Sequence, residues 1–144
     1  MISEIIKEKT SADHLLYVSL KYTKTCDVIL NLIERWRSMI ELCIDALLNK
    51  TKKQKIVNDI PVAPKMRVLA LKQAFKKEPV VIETMDLYEF FKRVPATERI
   101  KENEFRKNVC LTIIDGKEVK IDMDKLKEYA ELLERFIKFV RSYL

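Results

Sequence analysis

Residues 11–49, SADHLLYVSLKYTKTCDVILNLIERWRSMIELCIDALLN, contain neither proline nor glycine, and their apolar side chains recur at intervals of three and four. This spacing is typical of an amphipathic helix with a heptad repeat. The repeat predicts one long helix, with Ser11 or Asp13 as its N-cap. The seam of a bundle or dimer would consist of Leu15, Tyr22, Ile29, Trp36 and Met39.

The predicted length of this helix raises a packing problem. A helix of about 38 residues measures about 57 Å, whereas a compact domain of this size has a radius of gyration of about 15 Å. Either the helix breaks between Tyr22 and Cys26, or a second copy covers the overhanging seam. The length and the heptads together favour a homodimer.

A second amphipathic stretch closes the chain, at residues 124–144. Its apolar positions Leu126, Tyr129, Leu133, Phe136 and Val140 alternate steps of three and four. We expect it to pair antiparallel with the first long helix. The predicted fold class is mainly α: a helical bundle built on two long antiparallel helices, with one small β-hairpin, as a single helical domain over residues 1–144.

The middle of the chain predicts shorter elements. Residues 65–76 form a short helix with Met66 and Leu69 inward, and Thr84 caps a helix that Pro95 ends. Residues 96–107 are weakly periodic and predict a loop or a frayed helix. Residues 109–121 predict the hairpin, because two β-branched runs flank Asp115 and Gly116, a pair that readily adopts positive φ.

The composition excludes several classes of protein. Gly116 is the one glycine of the 144 residues, so glycine-rich phosphate loops and dinucleotide fingerprints are ruled out. Cys26, Cys43 and Cys110 are widely spaced and share one histidine, His14, so neither zinc nor a disulfide framework is expected. No cofactor, metal or catalytic residue is predicted.

The sequence has no window apolar enough for a membrane span, so a cytoplasmic protein is expected. Its Lys/Glu-rich composition resembles that of thermophiles.

Residues 50–77, KTKKQKIVNDIPVAPKMRVLALKQAFKK, concentrate the positive charge in a basic loop and short helix. Nine basic residues stand against one acid, Asp59, which gives the segment a charge of +8 in a chain of net charge +6. Such residues neutralise phosphates. The candidate residues for binding nucleic acid or an acidic protein are Lys50, Lys52, Lys53, Lys55, Lys65, Arg67, Lys72, Lys76 and Lys77. A merely soluble basic surface is the alternative, since Phe75 alone is near for base stacking.

The run DVILNLIERWRSMIELCIDALL, residues 27–48, resembles helices of the HEPN group of small prokaryotic helical-bundle proteins. The resemblance implies paired long helices, dimerisation, and a role as an RNA-cleaving toxin or as the partner of a nucleotidyltransferase. The family's ribonuclease signature is an arginine followed four to six residues later by histidine. No arginine precedes His14, and neither Arg35 nor Arg37 is followed by a histidine.

These observations lead to three hypotheses on function. The first is a non-catalytic, dimeric binding or assembly module whose basic segment contacts nucleic acid or another acidic partner. The second is a HEPN-like ribonuclease or toxin–antitoxin component with a displaced site, which requires His14. The third is a structural subunit of a larger complex.

Overall fold

A computed structural model describes all of residues 1–144 as five helices and a small three-stranded antiparallel sheet. The mainly helical class predicted from the sequence is confirmed. The helices, named here in chain order, are α1 (residues 2–22), α2 (Cys26–Lys53), α3 (Pro64–Ala74), α4 (Pro79–Arg93) and α5 (Met123–Tyr143). The strands are β1 (Glu98–Glu102), β2 (Cys110–Ile114) and β3 (Glu118–Ile121).

The long helix predicted for residues 11–49 is two helices that meet at Thr23–Thr25. Helix α1 begins at Ile2, so Ser11 and Asp13 lie inside it and do not cap it. Thr25 is extended, and its hydroxyl accepts a hydrogen bond from the N–H of Val28 at 3.3 Å, which caps α2. The break between Tyr22 and Cys26 that we considered is therefore present, and the overhang that favoured a second copy disappears.

Helix α1 changes its winding before it ends. It is α-helical over Ile2–His14, π-helical over Leu15–Ser19, and α-helical again over Leu20–Tyr22. Leu16 and Leu20 lie four residues apart on one face of this stretch, and both are buried. Tyr22, the last residue of the helix, is exposed over 78% of its surface. Tyr22 therefore does not belong to the interior of the bundle, although the heptad rule placed it on the seam.

The directions of the helices differ from the prediction. Helix α1 runs antiparallel to α2, since Glu8 pairs with Arg35 at 3.3 Å while Ile2 lies beside Ala46. Helix α5 runs parallel to α2, because Tyr129 packs on Trp36 and Tyr143 donates a hydrogen bond to Gln54, just beyond the end of α2. The predicted antiparallel pairing of α5 with residues 26–49 is wrong. The segment between them, with two helices and a sheet, carries the chain back to the beginning of α2 before α5 starts.

An aromatic cluster joins α2, α4 and α5 in the core. The rings of Trp36 and Phe91 stack with centroids 6.0 Å apart, and Tyr129 meets Phe91 edge-on at 5.5 Å. Phe136 and Val140 on the same face of α5 are fully buried. Edge-to-face and offset aromatic pairs add to the free energy gained by burial, so the predicted stripe of α5 is a core face.

Helices α3 and α4 differ from the prediction in detail. Met66 and Leu69 point outward with about half of their surface exposed, and Val68 and Leu71 fill the core instead. Helix α4 begins at Pro79, which is favoured there because the first turn needs no N–H from it. Thr84 is therefore inside the helix, where its hydroxyl donates to the carbonyl of Val80 at 2.7 Å.

The predicted hairpin is present as β2 and β3, joined through Gly116 with φ of 74°. It belongs to a larger sheet, in which β1 pairs antiparallel with β2 in the register Arg99 to Ile113. The prediction of a loop or frayed helix over residues 96–107 is therefore wrong for residues 98–102, which form β1. All five residues of β1 are exposed, so no alternation of apolar and polar residues indicated a strand.

Candidate functional site

The basic residues of segment 50–77 begin at the C-terminal end of α2. Lys50, Lys52 and Lys53 occupy the last turn of that helix. Cations there interact favourably with the carbonyl end of the helix dipole, which gives these side chains a structural role as well. Lys55 follows two residues after Lys53, with a positive φ of 61° where the chain turns away.

Three of the nine candidates form ion pairs within the chain. Arg67 pairs with Asp45 of α2, Lys72 with Asp86 of α4 at 2.5 Å, and Lys52 with Asp59 at 3.9 Å. The hydrogen bond that the Lys72 ammonium donates to the Asp86 carboxylate raises the pKa of Lys72. These charges are largely compensated, which the sequence did not indicate because Asp45 and Asp86 come from other helices.

The other six candidates have no acidic partner: Lys50, Lys53, Lys55, Lys65, Lys76 and Lys77. Lys50 and Lys53 line an open depression of about 690 Å³ together with Arg141 of α5. This convergence follows from the parallel course of α2 and α5, because the two helices end on the same side of the bundle. Arg141 was not a candidate from sequence, since it lies far from the basic segment along the chain.

Lys76 and Lys77 lie on the same side of the bundle, because the aromatic residue before them packs against the end of α5. They follow Phe75, whose ring meets that of Tyr143 at 5.0 Å, and Tyr143 in turn bonds Gln54. We use the name basic end for the exposed and half-buried cations on this side that have no acidic partner. The basic end consists of Lys50, Lys53, Lys55, Lys76, Lys77 and Arg141. Lys65, at the start of α3, lies outside it.

A polar groove between α1 and α2 contains His14 and Arg35. Its volume is about 790 Å³, and Ser11, Asn31 and Ser38 also line it. Arg35 pairs with Glu8 at 3.3 Å on its edge. An imidazole that can transfer protons and a guanidinium that can bind phosphate thus face one groove. Sequence spacing missed this arrangement, because the reversal at Thr23–Thr25 is what brings the two residues together.

A smaller charged cleft of about 330 Å³ lies between α2, α3 and α4. The Tyr88 hydroxyl donates to Glu41 Oε1 at 3.1 Å, and burial, aided by the Glu41 charge, raises the pKa of Tyr88 to about 12. Arg37 Nε lies 3.2 Å from the same carboxylate oxygen but is buried without a hydrogen bond. Because its cations face Glu41 and Asp45, the cleft is mostly compensated from within.

The cysteines are placed as small apolar residues. Cys43 is fully buried in α2, and burial raises the pKa of its thiol to about 12. Burial, and secondarily the charge of Glu104, raises the pKa of Cys26 to about 11. Thiols with raised pKa values are weak nucleophiles at neutral pH. No three potential metal-ligating side chains among His, Cys, Asp and Glu come together in the structure.

None of the helices combines the length and the apolar character required to cross a bilayer. Compared with protein-family models, curated proteins and solved structures, the chain gives no significant match. The assignment of function therefore depends on the geometry of the chain's own surfaces.

Proposed function

We propose that this chain is a non-catalytic helical binding module whose basic end contacts nucleic acid. The observation that carries the proposal is the convergence of cations from three separate segments on one side of the bundle. These segments are the end of α2, the turn after α3 and the end of α5. Cations brought together by the fold produce a stronger local potential than the same charges spread over a surface.

The chemistry of these side chains supports a phosphate backbone as the ligand. Lysine is a flexible point charge that contacts phosphate without fixed geometry, and five of the six members of the basic end are lysines. Binding of this kind releases counterions from the nucleic acid and does not depend on its sequence. An acidic protein surface would be recognised through the same charges, and its binding would weaken with salt in a similar manner.

The experiment measures binding of labelled duplex DNA of random sequence to wild-type protein and to the triple variant Lys50→Gln, Lys53→Gln, Arg141→Gln. The slope of log affinity against log salt should fall by about 2 to 3 in the variant. The matched control is Lys117→Gln, Lys120→Gln, Lys127→Gln, which removes equal charge from the sheet and the start of α5. Absence of binding at low salt, or equal losses in both variants, contradicts the proposal.

The assembly part of this proposal is dimerisation, for which the heptad row of α2 is not free. Ile29, Trp36 and Met39 are already covered within one chain, so a dimer would use other residues. Sedimentation equilibrium decides the matter: a mass fixed at 17.1 kDa over a hundredfold range of concentration contradicts a homodimer. A structural subunit of a larger complex would instead co-purify with stoichiometric partners.

A HEPN-like ribonuclease is the second candidate, and the groove that holds both His14 and Arg35 favours it. In this proposal Arg35 binds the phosphate and His14 transfers the proton, from two helices instead of one. Single-stranded RNA should be cleaved by the wild type, and His14→Ala and Arg35→Ala should each abolish cleavage. Lys7→Ala, a change of an exposed α1 residue outside the groove, serves as control. RNA left intact by the wild type, or cleaved equally by His14→Ala, contradicts this candidate.

A further inference from the structure

Two exposed aromatic side chains lie at the junction of α1 with α2, away from the basic end. Tyr22 ends α1 and is 78% exposed, and Phe105, in the loop between β1 and β2, is 75% exposed. The N–H of Phe105 donates to the carbonyl of Lys24 at 2.6 Å. The fold therefore places Phe105 against Lys24, which follows Tyr22 by two residues.

The loop that presents Phe105 is fixed in place. The carboxylate of Glu104 accepts a hydrogen bond from the N–H of Cys26 at 3.1 Å, which ties the loop to the start of α2. Asn103 and Phe105 have positive φ values of 57° and 66°. Asparagine adopts this conformation readily, but an aromatic residue rarely does. The chain thus holds a ring in an unfavourable backbone conformation although that ring is not buried, and such strain is commonly retained at functional sites.

The cations around these rings are unpaired. Lys21, Lys24, Arg106 and Lys107 form no ion pair. Glu104 is the one acid in residues 21–24 and 103–107, so these nine residues carry a net charge of +3. The Lys21 ammonium lies 5.9 Å from the centroid of the Tyr22 ring. The nearby charges of Asp27 and Lys101 neutralise each other at 2.8 Å. The surroundings of both rings therefore complement a negatively charged ligand.

We propose that this junction surface, formed by Tyr22, Phe105, Lys21, Lys24, Arg106 and Lys107, binds single-stranded nucleic acid. Bases stack on the two rings, and the cations contact the phosphates between them. Duplex cannot use the rings in this way, because its base faces are covered by their neighbours. The inference goes beyond the proposed function, because the basic end offers no exposed ring and accepts either form; each site can fail without the other.

A second copy of the chain fits this surface less well than a nucleic acid does. In a twofold dimer the same patch meets itself, which would bring two sets of four unpaired cations together at the contact. The centres of protein interfaces are depleted of charged residues, and like charges that face each other oppose association. A polyanion neutralises the repulsion among these cations, whereas a second copy of the chain increases it.

The test compares binding of a labelled single-stranded oligoadenylate of about twelve nucleotides with binding of the same strand annealed to its complement. Phe105→Asn and Tyr22→Ser should each weaken single-strand binding by about tenfold and leave duplex binding unchanged. Val62→Ser, which removes an apolar side chain 93% exposed elsewhere, is the matched control and should change neither. Because asparagine tolerates positive φ, the urea midpoint of Phe105→Asn should equal or exceed that of the wild type.

Direct evidence of stacking comes from placing 2-aminopurine within the oligoadenylate. Its fluorescence should be quenched further when the wild-type protein binds, and Phe105→Asn should remove that additional quenching. Equal affinity for single strand and duplex, together with no effect of Phe105→Asn, overturns the inference. The two sites are separate if the basic-end triple variant loses duplex binding while Phe105→Asn weakens single-strand binding and leaves duplex binding unchanged. A wild-type dimer that Phe105→Asn converts to monomer identifies a contact between copies and also overturns the inference.

Discussion

Helices α1 and α2 carry the same seven-residue repeat but place it differently in the structure. In α2 the repeat holds, since Ile29, Trp36 and Cys43 are all buried. In α1 its members Leu15 and Tyr22 are half-buried and exposed respectively, while Leu16 and Leu20 fill the core. A heptad repeat therefore indicated helix in both regions, but it identified the buried face only in α2.

The difference arises at the three residues between the two helices. The cap made by Thr25 starts α2 afresh and the chain reverses, so the face of α1 that meets the core is set by the bundle and not by continuation of the α2 stripe. Across the π-helical stretch Leu15–Ser19, Leu16 and Leu20 both face the core, whereas Leu15 is half-buried. Periodicity thus establishes the type of an element, whereas packing determines its continuity and orientation.

Ile29→Ala and Tyr22→Ala, at equivalent heptad positions, provide the strongest test of this comparison. The α2 substitution leaves a cavity in a fully packed site and should lower the free energy of unfolding by about 2 to 5 kcal/mol. The α1 substitution removes an exposed ring and should change it by less than about 0.5 kcal/mol. Urea denaturation followed by circular dichroism measures both. Similar losses in the two variants would mean that α1 continues the α2 seam after all.

Alkaline titration tests the burial of the α2 heptad row directly, because that row includes the ionisable thiol of Cys43. Burial raises the pKa of Cys43 from 9.0 to about 12, so the folded chain retains a proton that the unfolded chain loses. The stabilisation is complete below pH 9 and is lost as the pH rises through about 12. Through Cys43 alone, the free energy of unfolding should be about 1 to 2 kcal/mol lower at pH 10.5 than at pH 8.

Urea titrations at both pH values measure this loss, and Cys43→Ala isolates the thiol. The variant should be less stable than wild type at pH 8, since it removes buried volume, but the difference should shrink at pH 10.5. Three other groups still contribute a loss in the variant: buried Tyr88 and half-buried Tyr129, whose pKa values burial raises to about 12, and Cys26, whose pKa burial raises to about 11. A difference between wild type and variant that stays constant with pH would contradict the role of Cys43.

Thr25→Ala tests the junction itself and should have a smaller effect. It removes the hydroxyl that accepts from Val28 N–H, and loss of an N-cap typically costs about 1 kcal/mol. Amide hydrogen exchange at Val28 should accelerate most. Thr23→Ala, two residues earlier, is the control, because its side chain makes no hydrogen bond. Equal destabilisation by both substitutions would argue against capping as the origin of the break.

The sequence predicted the features that depend on local patterning. The α5 stripe and the position of the turn at Gly116 were correct, because each is specified by neighbours in the chain; of the Asp115–Gly116 pair, however, only Gly116 has a positive φ. Strand β1 was missed, since its residues are all exposed and mostly charged, and its place in the sheet depends on backbone pairing with β2. The parallel direction of α5 was missed because nothing in an amphipathic stripe specifies direction.

In the candidate sites, too, local composition was predictable from the sequence, whereas tertiary contacts were not. The lysines of segment 50–77 were evident from composition, but the compensation of Arg67 by Asp45 depends on tertiary structure. Arg141 joined the basic end, and Arg35 joined His14, only because helices bring distant residues together. The exposed Phe105 gave no signal, because nothing in the sequence indicated its positive φ.

The parallel course of α2 and α5 also has a consequence for how the chain reaches its native state. The hydrogen bond between Gln54 and Tyr143 joins residues 89 positions apart, whereas α1 and α2 meet across a turn of three residues. Closing the short turn costs little chain entropy and closing the long loop costs more. The α1–α2 pair should therefore form early on the folding pathway, and docking of the final helix should limit the rate.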